Sequence, residues 1–265
     1  MSVLDVIKNR HSQRQMQYTE LPKEDLNKIV EALNASPTNG NKFDATAIII
    51  TNQEVKKRMY NLTNNTGQAQ YANCGLLIVC FADMNRGKIA ATMTQSEINL
   101  HSFDNLLSAW GDAFLMAQSA VLVAEDLGYA TAFLSGVRHY NIPLYLREHY
   151  KLPNNLFPVL AVAIGKVGTE TVSRPQVNRV YFEGYDFYQV KEEVLKFNEV
   201  EKEFWKQRGK DKDWISVAAK FYLNDSTTTY LDLLKGIYDP EITNNIDISK
   251  CEQELQKLEE NKGDK

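Results

Sequence analysis

Phe103-Asp-Asn-Leu-Leu-Ser-Ala-Trp-Gly-Asp-Ala-Phe-Leu-Met-Ala-Gln-Ser-Ala-Val-Leu-Val-Ala-Glu-Asp-Leu127 carries the strongest helical signal in the chain. Leu106, Leu107, Trp110, Phe114, Ala117, Val121, Ala124 and Leu127 recur at helical spacing and mark an apolar stripe. Gly128 follows and can stop the helix in the left-handed conformation. Ala113, Ala117 and Ala120 carry little bulk, so another helix could approach closely there, as at a helical dimer core.

On either side of this helix, short runs of branched and apolar residues predict strands at 45–50, 75–82, 129–134 and 157–164. Ser2 and Asp5 form a helix-start pair. A second helix should begin near Pro22, because Leu26, Ile29, Val30 and Leu33 recur with helical period. Further helices are predicted at 53–62, 143–150 and 185–208, with weaker ones at 214–223 and 248–259. Ser36-Pro-Thr-Asn-Gly-Asn41 consists of turn-formers and predicts a loop. Strands alternating with helices would suit a doubly wound sheet, but none is followed by G-x-G-x-x-G or by a phosphate loop ending in Gly-Lys-Ser/Thr. The expected class is therefore α+β.

Hydrophobic residues make up 43% and charged residues 24% of the 265, ordinary globular usage that predicts a sizeable core. A net charge of −4 lacks the basic excess of a nucleic-acid or membrane-surface binder, so neither partner is expected. Residues 1–5 show no basic patch leading into an apolar run, and continuous apolar runs such as 75–82 are too short to cross a bilayer. Cys74, Cys80 and Cys251 make neither a C-x-x-C pair nor a zinc set, which fits a reducing cytoplasm. The four histidines, His11, His101, His139 and His149, are scattered, and no metal is expected.

Four segments could carry chemistry. Arg10 and Arg14 are four apart, so a helical turn would place both guanidinium groups on one face, with the Ser12 hydroxyl between them. Permanent charge and forked donors suit a phosphate dianion. Pro37-Thr-Asn-Gly-Asn41 presents amides that donate and accept, which suits the mixed edge of a flavin or a base. Gly136, just past the strand at 129–134, permits close backbone approach to a ligand edge. Arg174 and Arg179 flank Pro175 and could form a second phosphate clamp.

In this order, the segments resemble the FMN-dependent nitroreductases. Asp5-Val-Ile-Lys-Asn-Arg-His-Ser-Gln-Arg14 resembles the family's R-x-S-x-R opening, and Pro37-Thr-Asn-Gly-Asn41 is similar to its P-S-x-x-N loop. Asp112 to Ala120 with Ala124-Glu-Asp-Leu-Gly128 resembles its central dimerising helix. Leu134-Ser-Gly-Val-Arg138 resembles the G-G-x-R turn of the oxygen-insensitive NADPH nitroreductase and flavin reductase branch, as do Gly67-Gln-Ala69 and Ile164-Gly165 leading to Arg174-Pro175. The likeness spans residues 3 to 208, with His11 where Arg is common and Ser135 where Gly is.

The resemblance implies a nitroreductase-like fold: a central, mostly antiparallel sheet flanked by helices, in an intertwined homodimer with FMN at the subunit interface. It implies an FMN-binding domain at 1–208 and a helical C-terminal extension at 209–265 packing on the core or on the partner subunit. Arg10, His11, Ser12, Arg14 and Arg174, with Arg179 as the rival of Arg174, would hold the phosphate and ribityl chain. Gln68 and Phe133, Leu134, Ser135 and Gly136 would contact the flavin ring, and Pro37, Thr38, Asn39 and Asn41 would reach it from the partner subunit. No catalytic side chain is implied, because the chemistry occurs at flavin N5 with NADH or NADPH as donor. Arg208, followed by Lys210 and Lys212, lies near where the branch places an Arg for the NADPH 2′-phosphate. Expected acceptors are small molecules: nitroaromatics, quinones or flavins. A flavin reductase feeding free FMNH2 to a partner enzyme, and a non-enzymatic flavin-binding redox protein, are the alternatives.

Overall fold

A computed structural model of the chain describes residues 2–64, 67–99, 102–153, 155–169 and 173–223. These divide into two compact units, the first ending near residue 170 and the second covering the described residues from 173 onward. The division thus falls ahead of the 208/209 boundary that the sequence suggests. The helix predicted at 248–259 lies outside the described residues, as does most of the 209–265 extension.

In the first unit the helices are α1 (Val3–Asn9), α2 (Lys23–Asn34), α3 (Gln53–Leu62), α4 (Gln70–Asn73), α5 (Asn85–Met93), α6 (Phe103–Asp126) and α7 (Ile142–Tyr150). The strands are β1 (Ala45–Ile50), β2 (Leu76–Asp83), β3 (Ala130–Leu134) and β4 (Leu156–Gly165). Ser2 caps α1 as predicted: the Asp5 amide donates to its hydroxyl at 3.2 Å, and its own amide donates to the Asp5 carboxylate at 3.1 Å. The helices α4 and α5 are additions to the sequence reading. One is a single turn and the other buries no residue, so neither writes a periodic stripe.

The strands form a sheet in the order β1-β2-β4-β3 with every neighbouring pair antiparallel, the α+β arrangement rather than a doubly wound one. All residues of β2 and β4 are buried, because helices cover both faces of the sheet. Leu76, Ile78 and Cys80 pack with α2 and α6 on one face. Leu77, Val79 and Phe81 pack with α3 and α7 on the other. Each fully buried Leu, Ile or Val in these layers contributes about 1.5–3 kcal/mol of transfer free energy. Burial also pushes the thiols of Cys74 and Cys80 up to about 12, so both act as small core hydrophobes.

The alanines of α6 correct one expectation. Ala113, Ala117 and Ala120 are fully buried in the cluster formed with the chain's own sheet and α2, so they do not present a face to a partner helix. Their lack of bulk lets α6 lie close on β2 and β4. The outward face is instead Phe103, Leu107, Phe114 and Leu115, between 44% and 76% exposed. Among the described residues α6 is the one helix long and apolar enough to cross a membrane. That apolarity divides between the sheet-facing alanines and this outward row. At its end Gly128 takes φ +87°, as predicted.

The second unit contains α8 (Phe187–Lys206) and α9 (Trp214–Leu223). Asp186 caps α8 by accepting from the Tyr188 and Gln189 amides. Phe197 meets Trp214 edge to face at 5.7 Å, and the Ile215 amide donates to Asn198 Oδ1 at 2.9 Å.

Candidate functional site

The Arg10–Arg14 segment is not helical. Helix α1 ends at Asn9, and Arg10 has ψ 126°. The helical face expected for Arg10 and Arg14 is therefore absent, and of the two Arg10 is half-buried and Arg14 exposed. The segment lies along the edge strand β3: the Gln13 amide donates to the Thr131 carbonyl at 2.8 Å. Further on, Gln17 and Lys166 exchange two backbone hydrogen bonds of 2.9 Å each. Close backbone passage fixes the path. A Cβ on Gly168 would fall 1.8 Å from the Gln15 carbonyl oxygen, and one on Gly75 would fall 1.7 Å from that of Thr19.

Along this edge several buried polar atoms have no hydrogen-bond partner among the described residues: Arg10 Nη1, His11 Nε2 and Gln13 Oε1. The Arg10 guanidinium lies 5.6 Å from the centroid of the Phe133 ring. His11 Nδ1 faces the Asn9 carbonyl at 3.0 Å, and since a carbonyl only accepts, Nδ1 carries the hydrogen. Glu125 stands nearby, bonded to the Thr131 hydroxyl at 2.5 Å. Burial raises its carboxyl above the ordinary range, while that bond and the charges of Arg10 and His11 pull the other way.

Phe133 and Leu134 end β3, and Ser135–Arg138 make a tight 3-10 turn in which Gly136 is buried and Ser135 exposed. Gln68 reaches the same place: a Cβ on Gly136 would lie 3.5 Å from Gln68 Oε1 and 3.5 Å from Tyr71 Oη. Tyr71 Oη and Gln70 Oε1 are also buried without partners among the described residues. Burial pushes the Tyr71 phenol far up, so it stays a neutral hydroxyl. The structure therefore brings Arg10, His11, Phe133, Leu134, Gly136 and Gln68 to one edge of the sheet. Ser12 and Arg14 belong to the same run, Ser12 half-buried and Arg14 exposed.

Pro37, Thr38, Asn39 and Asn41 sit elsewhere. Thr38 donates its hydroxyl to Asp112 of α6, and the Asn39 amide donates to the second Asp112 oxygen at 3.0 Å. Asn39 Nδ2 donates to Ser108 Oγ at 2.6 Å. Asp112 and Glu125 are separated along α6 by about 20 Å at helical rise. Within one chain the loop and the Arg10 edge are thus not brought together.

Arg174, Arg179 and Arg208 belong to the second unit. The Arg174 guanidinium lies 5.0 Å from the centroid of Trp205, with the Lys210 and Lys212 ammonium groups at 5.2 and 5.6 Å from the same ring. Arg179 is exposed. Arg208 lies over Phe204 at 3.7 Å and donates to the Phe204 carbonyl at 2.7 Å.

The model of the Nitroreductase family matches residues 7–166, more than half of the chain. The chain belongs to the Nitroreductase family. Among curated relatives, an NADPH-dependent oxidoreductase of Staphylococcus haemolyticus is 27% identical over 248 residues, covering 89% of this chain and 95% of its own. An FMN reductase (NAD(P)H) of Bacillus subtilis is 27% identical, covering 82% of this chain and 91% of its own. Among solved structures, B. megaterium NfrA2 superposes with a TM-score of 0.82 at 24% identity, covering 89% of this chain and 96% of that one, which establishes the shared fold.

For a nitroreductase-family chain the partnerless atoms test cofactor fit. Buried polar groups nearly always have partners, so several orphans along one four-residue run mark a place for an absent one. A guanidinium suits a phosphate, an imidazole nitrogen and an amide oxygen suit sugar hydroxyls, and Gly136 brings its backbone against the Gln68 and Tyr71 side chains, whose polar atoms suit a ring edge. The residues fit FMN. The sequence reading assigned no role to Asp112, Ser108, Gln13, Glu125 or Tyr71. An acid inside an apolar helix, as Asp112 is, was the one signal available for them.

Proposed function

We propose that this nitroreductase-family protein is an FMN-dependent oxidoreductase that passes reducing equivalents from NAD(P)H to nitroaromatics, quinones or flavins. The observation that carries this reading is the row of buried, partnerless polar atoms on Arg10, His11 and Gln13 beside the Gly136 turn. Arg10, with His11, Ser12 and Arg14, would hold the phosphate and ribityl chain. Gln68 and the Phe133–Gly136 backbone would border the ring. Bound FMN supplies a two-electron carrier that accepts hydride from one substrate and yields it to the next, and a single shared slot implies ping-pong kinetics. Among the described residues no group of three or more His, Cys, Asp or Glu could hold a metal ion.

A second copy of the chain would bring Pro37, Thr38, Asn39 and Asn41 to the flavin. Support comes from their distance along α6 from the Arg10 edge, and from the outward Phe103, Leu107, Phe114 and Leu115, an apolar row that a homodimer would cover. We assign Arg208, beside Lys210 and Lys212, to the dinucleotide phosphate, and the cytoplasm as the compartment. In the test, the purified protein should show the visible absorption of oxidised flavin, bleach with NADPH or NADH, and recover colour with a quinone or a nitrofuran. A colourless protein that takes up no FMN would overturn the reading. A yellow protein that oxidises neither dinucleotide would favour the redox-binding alternative.

A further inference from the structure

The loop that this reading sends to a second subunit's flavin has an unusual backbone. Gly40, Asn41 and Phe43 all take left-handed conformations, with φ of 59°, 58° and 55°. A bulky aromatic in that region is strained, and such a shape persists only where its surroundings over-determine it. The 3-10 turn at Asn39–Asn41 buries none of its residues, so apolar packing on the core does not supply that restraint.

Hydrogen bonds supply it: Arg86 donates to the Phe43 carbonyl at 3.0 Å on one side, and on the other a carboxylate in the middle of α6 holds Thr38 and Asn39. Asp112 is 3% exposed, and both of its oxygens face the loop, one accepting from the Thr38 hydroxyl and the other from the Asn39 amide. The Thr38 hydroxyl in turn accepts from the Phe43 amide at 2.9 Å. Asp112 therefore orients the hydroxyl so that its lone pair meets the strained Phe43 residue. One helical turn earlier, Ser108 accepts from the Asn39 side chain at 2.6 Å. A buried carboxylate is costly unless its hydrogen bonds are met, and here they are met by loop donors.

We propose that Asp112, seconded by Ser108, is a positioning residue that holds the Thr38–Asn41 loop in the shape in which it meets the flavin of the other subunit. This rests on the loop's assignment to the flavin. Asp112 would act without touching the cofactor, by way of Thr38 and Asn39.

The experiment uses the full chain with Asp112→Ala, Asp112→Asn, Thr38→Val and Arg10→Ala, and reads hydrogen exchange of residues 38–43, FMN dissociation constant and the fine structure of the bound-flavin spectrum. Asp112→Ala and Thr38→Val should each speed exchange at the Asn39 and Phe43 amides by about tenfold and weaken FMN by up to about tenfold, the equivalent of one lost hydrogen bond. Asp112→Asn, which keeps the shape and one acceptor oxygen, should rescue part of both effects and part of the spectral change. Thr38→Val leaves α6 untouched, so it decides the matter even if Asp112→Ala fails to fold. Unchanged exchange in the folded variants would overturn the anchoring. Faster exchange with unchanged FMN affinity and spectrum would overturn the positioning role by showing that the loop does not meet flavin. Arg10→Ala separates this from the reading it rests on: if only Arg10→Ala weakens FMN, the cofactor site stands and Asp112 has no part in it.

Discussion

Two polar regions of the first unit meet burial in opposite ways. Along the Arg10 edge, Arg10 Nη1, His11 Nε2 and Gln13 Oε1 are enclosed by the fold yet bonded to nothing described. At the Thr38 loop, hydroxyl, amide and side-chain donors all find acceptors on α6. Leaving a buried donor or acceptor unmatched costs about 1–3 kcal/mol, and satisfying it within the chain removes that cost. The first region is therefore shaped for something outside the chain, while the second is shaped by the chain itself. Ligand contact at the edge should be lost one group at a time; at the loop it should be lost through the shape of the backbone.

The largest expected effect removes what places the edge. Gly168→Ala would put a methyl group 1.8 Å from the Gln15 carbonyl oxygen, where only backbone can give way. It should destabilise the protein by about 3 kcal/mol in urea unfolding and displace the segment that carries Arg10 and Arg14. A variant of wild-type stability would show that this backbone passage does not hold the edge. Gly136→Ala sharpens the contrast, because its added methyl meets only ordinary contacts at 3.5 Å. Unfolding should move little while FMN affinity falls by roughly tenfold, since the methyl would press on Gln68, which is assigned to the ring edge. Equal losses of stability and affinity would break the distinction.

Glu125 tests the charge of the edge. Its carboxyl is raised by burial, so between the unfolded and folded values the native chain binds the extra proton. Ionised Glu125 therefore costs stability above the raised value, and stability is regained as pH falls through it toward the ordinary value of about 4.3. Glu125→Gln should flatten that part of the stability profile. It should also tighten FMN about threefold at neutral pH by removing a negative charge beside Arg10. An unchanged profile would detach Glu125 from the site. The smallest effect is expected in the second unit, where Arg208→Ala should reduce preference for NADPH over NADH about two- to fivefold in steady-state kinetics, as suits an exposed charge.

Much of the fold was legible because the sheet is covered on both faces. The strands β2 and β4 then read as unbroken apolar runs, and the sequence placed both to within one residue. Their antiparallel order was not legible from periodicity, which carries no pairing; it came with the family resemblance. The alanines of α6 misled because small residues admit a sheet as readily as a helix. Arg10 and Arg14 were singled out by their chemistry, although the helical turn expected of them does not form, because α1 ends at Asn9. Asp112 stood in the quoted helix without a role. Its partners are more than 70 residues away in the chain, and only the folded loop shows that both its oxygens are needed.

The account is tested most directly by titrating the flavin-free protein with FMN and following quenching of flavin fluorescence, for wild type and Arg10→Ala side by side. Loss of one charge-assisted contact of about 1.5–3 kcal/mol predicts a dissociation constant raised about 10- to 100-fold with secondary structure intact. Equal affinity in the two proteins would contradict the assignment of the Arg10 edge to the cofactor.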